Sequence, residues 1–140
     1  MISGIALVPR RRGVTVLELL VVLFVAALLA AIALPSYLSI MRKGRRSDAV
    51  DASVAVLQAQ ERYRANNLSY ASTLGVLGQS NTSIAGQYSL ALSATSGAGY
   101  LLTLSALAGS AQASDTGCTA LTVTVSNGNP SYAPLACWSR

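Results

Sequence analysis

The order of apolar and polar positions divides the chain into three regimes. From Val14 to Leu34 the sequence VTVLELLVVLFVAALLAAIAL is apolar at nearly every position, and Glu18 is its one charged residue. At roughly 1.5 Å per residue this stretch makes about 31 Å of helix, close to the hydrocarbon thickness of a bilayer. It is long enough to span. Beyond Pro35 the pattern becomes amphipathic: Ala49, Ala52, Val56, Ala59 and Tyr63 recur at helical spacing, with Val50, Val54 and Leu57 beside them. Residues 36–67 therefore read as a helix with one broad apolar stripe. Pro35 lacks a backbone donor and crowds the preceding turn, so the spacing predicts a kink there rather than an end. Ser47 and Asp48, just after Gly44, offer a local cap and a second place for a break.

After Asn67 the period shortens to two. Leu68 to Gly86 reads as a loop, with turn signals at Gly75, Gly78 and Asn81. Three strands follow, each with one apolar face. Gln87–Ser93 alternates Tyr88, Leu90 and Leu92; Gly99–Ala106 alternates Tyr100, Leu102 and Leu104; Thr119–Ser126 alternates Leu121, Val123 and Val125. The run Asn127 to Pro130 is a strong turn signal, after which Ser131–Ala133 returns as a short strand. An antiparallel sheet laid on the helix stripe buries both apolar surfaces, which predicts an α+β fold with a long N-terminal helix.

Composition changes this picture in two places. Hydrophobic residues make up 52% of the 140, and the excess sits in the first regime. Ten basic and five acidic side chains give +5, but removal of Arg10, Arg11 and Arg12 with a leader leaves seven basic residues and +2. That is a weak bias towards any partner. There is no histidine, which excludes Ser-His-Asp and Cys-His nucleophile systems and takes away the commonest metal ligand. No phosphate-binding loop, zinc spacing or nucleophile elbow occurs, so the reading is a non-enzyme without cofactor or metal. Asp48 and Asp51 share a helical face beside basic residues and read as solvated or salt-bridged. Cys118 and Cys137 form an even pair that in an exported domain is most simply a disulfide, closing a loop worth roughly 3 kcal/mol. Trp138, next to Cys137, reads as a plug over that bridge in preference to an exposed contact.

The start of the chain breaks the order of a secretory signal. Gly13 lies between the arginines and the apolar run, so cleavage there leaves the hydrophobic segment on the mature protein. The basic residues before the span place residues 1–13 in the cytoplasm, although Arg42, Lys43, Arg45 and Arg46 after it blur that rule. A charge at membrane depth costs roughly 2.5–3.5 kcal/mol on insertion scales, so Glu18 calls for a partner. On hydropathy alone a plain single-pass anchor explains the segment as well.

Arg11, Arg12, Gly13, Val14, Thr15, Val16, Leu17, Glu18 and Leu19 together resemble the class III leader of type IV prepilins. Pro35 falls at the twenty-second mature position counted from Val14, where that family commonly carries a helix-bending proline. Gly44–Ala49 and Gln60–Ser72 look like corresponding stretches of the PilE-like minor pilins. The resemblance covers the first half well; the second half matches only in its strands and paired cysteines. One departure is Val14, which stands where the family usually has phenylalanine as its first mature residue.

The resemblance implies a leader of residues 1–13, a membrane and assembly half of the helix at 14–35, an amphipathic half at 36–67 and a globular β-sheet domain at 68–140. It implies cleavage by a prepilin peptidase between Gly13 and Val14, and N-methylation of Val14. It implies that Glu18 pairs with the terminal amine of a neighbouring subunit and so sets axial register. It implies storage in the inner membrane with the C-terminal domain periplasmic, then assembly by inner-membrane machinery into an extracellular pilus that serves twitching motility and adhesion. The Cys118–Cys137 segment corresponds to the family's C-terminal staple. The cluster Arg42, Lys43, Arg45 and Arg46 has no interleaved aromatic residue to stack bases. It therefore reads first as an interfacial anchor or as partners for acids on neighbouring subunits. A pseudopilin of type II secretion and a DNA-uptake minor pilin are the alternatives, with DNA the less favoured partner, and a periplasmic domain on a simple anchor is the rival outside the family.

Overall fold

The computed structural model describes residues 13–138; Arg10, Arg11, Arg12 and the rest of the leader segment ahead of Gly13 lie outside the described residues. The chain divides into two compact units, Met1–Tyr37 and Leu38–Arg140. One helix, α1 (Val16–Arg64), contributes to both. It starts two residues later than the apolar run because the Thr15 hydroxyl accepts the Glu18 backbone N–H at 3.2 Å. This is the N-cap geometry in which a side-chain oxygen satisfies an otherwise orphan donor. Pro35 does not end the helix, and neither Gly44 nor the Ser47–Asp48 pair breaks it. Ser47 donates its hydroxyl back to the Gly44 carbonyl at 2.7 Å and stays inside the helix.

In the first unit every large apolar side chain from Val14 to Leu34 is exposed. None of the described residues covers them.

The second unit packs the distal part of α1 against a four-stranded antiparallel sheet in the order β1-β2-β3-β4, made of β1 (Tyr88–Ser93), β2 (Gly99–Ala106), β3 (Ala120–Ser126) and β4 (Asn129–Ala133). Register places like with like on the buried face, as Leu90 faces Leu104, Leu102 faces Val123, and Leu104 faces Leu121. Such cross-strand pairs are the unit of sheet stability. From the helix, Ala49 and Val56 complete this core, joined by Tyr70 and Leu74 of the following loop. The alternation read from sequence holds in all three strands, and the predicted stripe holds at Ala49, Val56 and Ala59. Val54 departs from it and is exposed, whereas the polar Ser53 and Gln60 are buried. Gln60 earns that place by pairing both ways with Ala71, donating to its carbonyl at 3.0 Å and accepting its N–H at 2.9 Å.

Two glycines are required by geometry. At Gly99 a Cβ would lie 2.0 Å from the Val125 carbonyl oxygen, so only glycine lets β2 pass β3 there. The β3–β4 turn needs positive φ at both central residues, 49° at Asn127 and 79° at Gly128, the Asn-Gly preference of a tight hairpin. Beyond β4 a short α2 (Leu135–Trp138) carries Cys137 back to Cys118, and the two sulfurs are bonded.

Candidate functional site

Three places can carry function, and each is built by a different part of the sequence. The first is the apolar stretch of α1 in the first unit. A helix satisfies its own backbone polar groups, so an exposed apolar helix suits either lipid or the sides of other helices. Glu18 lies in its first turn, where a carboxylate complements the helix dipole. Val14 and Thr15 precede the helix. Thr15-x-x-Glu18 is a capping-box spacing, a signal that a purely membrane reading of Glu18 passes over.

The second place is the basic segment of α1 that follows, within the second unit. Sequence groups Arg42, Lys43, Arg45 and Arg46 together, and the fold separates them. Arg46 turns inward and makes a two-pronged pair with Asp115, Nε to Oδ2 at 2.7 Å and Nη2 to Oδ1 at 2.9 Å. It belongs to the domain's own scaffold, not to a basic surface. Its hydrogen bond to Asp115 raises its pKa further, against a smaller lowering by desolvation. Gln112, fully buried, also donates to Asp115 at 2.6 Å. Lys43 is exposed and Arg42 and Arg45 are half-buried. Arg46–Asp115 is the one ion pair found among the described residues, so these three keep their charge unpaired by any of those residues.

Asp48 corrects a further expectation. It is neither solvated nor salt-bridged. Its Oδ2 accepts the Ser83 hydroxyl at 2.5 Å and the Gln87 N–H at 3.2 Å, and its Oδ1 accepts the Ala85 N–H at 3.0 Å. One helix carboxylate thereby shapes the loop entering β1. A polar residue next to an apolar stripe was the available signal, since burial demands partners.

The third place is the C-terminal region. Trp138 is half-buried against the core cluster that contains Cys118 and Cys137, and it also packs edge-on against Tyr132 with ring centroids 4.9 Å apart. Its indole N–H donates to the Ala133 carbonyl at 3.2 Å.

This architecture, an uncovered apolar helix continuing into the spine of a small sheet domain with a C-terminal disulfide, can be set beside known families. Residues 35–122 match the family described as type IV minor pilin ComP, DNA uptake sequence receptor. The chain belongs to this family of type IV minor pilins. Residues 8–34 match the prokaryotic N-terminal methylation motif, the signature of the prepilin leader. A comparison with curated proteins found no match. As a minor pilin the chain is a structural subunit that is processed as a prepilin, held at a membrane by its apolar helix before assembly, and built into a pilus with other pilins. The pilin reading fits what the first unit shows, because the helix left without cover by the described residues is the one a pilin shares with its neighbours.

Proposed function

We propose that this minor pilin is cleaved by a prepilin peptidase between Gly13 and Val14, N-methylated on Val14, and stored in the inner membrane with its sheet domain on the periplasmic side. Inner-membrane assembly machinery then draws it into an extracellular pilus, where residues 14–35 trade lipid for neighbouring helices. Through that pilus it serves twitching motility and adhesion. The observation that carries this reading is the surface of α1 from Val16 to Leu34, apolar but for Glu18 and exposed along its length. Glu18 is its one acid, and two buried opposite charges select a register because either one alone is heavily penalised. Mass spectrometry of the mature protein from sheared pili tests the proposal. The expected N-terminus is a methylated Val14; a mature chain beginning elsewhere, or one absent from the pilus fraction, overturns it.

A second reading is supported by the family description, which names a DNA uptake sequence receptor. The cations that would meet phosphate are Arg42, Lys43 and Arg45, with Arg46 set aside by its pairing to Asp115. Gel shift of the mature chain over a range of salt tests it. Substituting each of the three should reduce the salt slope by about one, as expected for lost phosphate contacts. An unchanged slope removes DNA from the reading.

A further inference from the structure

Within the second unit an open groove of about 420 Å³ runs along α1 beside the C-terminal turn, lined by Ile40, Lys43, Ser47, Val50, Cys137 and Trp138 among others. Its wall is almost wholly apolar and includes no acidic side chain. A smaller hollow of about 220 Å³ shares Val50 and Trp138 and extends to Val54 and Tyr132. Ile40 is 64% exposed and Val54 44%, so an apolar strip lies open along this part of α1.

What would occupy the strip is indicated by charge, by residue type and by chain length. The exposed Lys43 stands at the groove, with the half-buried Arg42 and Arg45 next to it in sequence. An occupant that is hydrocarbon within and anionic at one end satisfies both parts. A half-buried tryptophan beside lysine and arginine is also the composition of a membrane–water boundary, where an amphipathic ring and long cationic side chains both lodge. Chain length gives the third argument. Ile40 follows Leu34 by six residues, which in any conformation carry it no more than about 20 Å from the end of the span. A chain anchored by its apolar helix therefore keeps this groove within reach of the lipid headgroups.

We infer that the groove takes an acyl chain of an anionic phospholipid from the anchoring leaflet, with the lipid phosphate against Lys43. The inference rests on membrane anchoring before assembly. The bound lipid covers Ile40, Val50 and Trp138 while the subunit waits, and leaves when the subunit is withdrawn from the membrane.

Trp138 is the chain's single tryptophan, so its emission reports on the groove alone. The mature full-length chain is reconstituted at low density in phosphatidylcholine vesicles, with or without phosphatidylglycerol, carrying acyl chains brominated near the headgroup. Flotation is scored first, and a chain that does not float with the vesicles overturns the anchoring on which the inference stands. With flotation intact, brominated acyl chains are expected to quench Trp138, more strongly when the bromine is on phosphatidylglycerol. Lys43→Glu should remove that preference, a change of roughly fivefold for one basic residue at an anionic surface. Ile40→Glu, at an exposed position the fold does not need, should abolish quenching while flotation and thermal unfolding stay unchanged. Flotation without quenching overturns the inference, as does quenching that is indifferent to lipid charge or survives Ile40→Glu. Emission that responds only to subunit density gives the groove to a neighbouring pilin and overturns it equally.

Discussion

The Arg46 guanidinium and the Asp115 carboxylate meet across 69 residues of sequence, with two hydrogen bonds at 2.7 and 2.9 Å and side-chain exposures of 14% and 4%. The pair fastens α1 to the segment that leads to Cys118. Breaking a buried pair from one side leaves the other charge stranded, which costs more than the pair contributes. Asp115→Ala also strips the Gln112 amide of its 2.6 Å acceptor and leaves it the Arg42 carbonyl at 3.5 Å. We expect it to lose about 3 kcal/mol in denaturant unfolding of the full chain in detergent. The double variant Arg46→Met with Asp115→Leu should recover most of that loss. Equal destabilisation by the single and double variants would show that packing, not charge, is what the site supplies.

Asp48 works by the same logic with backbone donors in place of a cation. Removing it leaves the Ala85 and Gln87 N–H groups and the Ser83 hydroxyl without their acceptor. Asp48→Ala should cost about 1.5–3 kcal/mol, the range for hydrogen bonds to a charged group. Amide exchange separates this from a global effect. Protection is expected to fall at Ala85 and Gln87 well before it falls in β2 and β3; uniform loss would refute the local latch.

Burial raises the pKa of Tyr88 and of Tyr100 above their ordinary 10.0. The Tyr100 hydroxyl, in addition, has no hydrogen-bond partner among the described residues. The native state keeps both phenols protonated while the unfolded chain releases its protons near pH 10, so this contribution is complete below pH 10 and drains away above it. Each group removes up to about 1.4 kcal/mol per pH unit between the unfolded and the native values. Of the six tyrosines, two should yield their phenolate absorbance only together with unfolding. Six independent titrations in a chain that remains folded would contradict this.

Glu18→Ala should leave membrane insertion intact, since it removes a charge that costs roughly 2.5–3.5 kcal/mol at membrane depth. Incorporation into pili should fall sharply, because a neighbour's terminal amine then finds no counter-charge. The comparison is between membrane and sheared-pilus fractions of the same cells. Normal incorporation of the variant would end the registry role of Glu18.

Where a residue's position follows from local periodicity, the sequence was a sufficient guide. The alternation of Tyr100, Leu102 and Leu104 placed β2 to the residue, and the turn signal from Asn127 to Pro130 found the last hairpin, although Asn129 and Pro130 already belong to β4. The order of Gly13, Val14 and Glu18 likewise carried the family. What stayed hidden depends on pairings distant in sequence. Nothing around Arg46 distinguishes it from Arg42 or Arg45, because its difference is Asp115, in a short turned segment of Gly, Ala and Ser with no periodic signal. Asp48 looked like one more exposed acid for the same reason, its three donors lying in a loop whose path the helix itself dictates. Val54 shows the converse error, an apolar residue at helical spacing that the sheet does not reach.

The border of the sheet at β1 is occupied, and the one at β4 is blunted. Beside β1, the Ser83 N–H reaches the Tyr88 carbonyl at 2.9 Å and the Leu90 N–H reaches the Asn81 carbonyl at 2.8 Å. On β4, Pro130 offers no donor and α2 folds back onto Ala133. A strand from another chain would find the β1 border already paired and, at β4, a proline in the row.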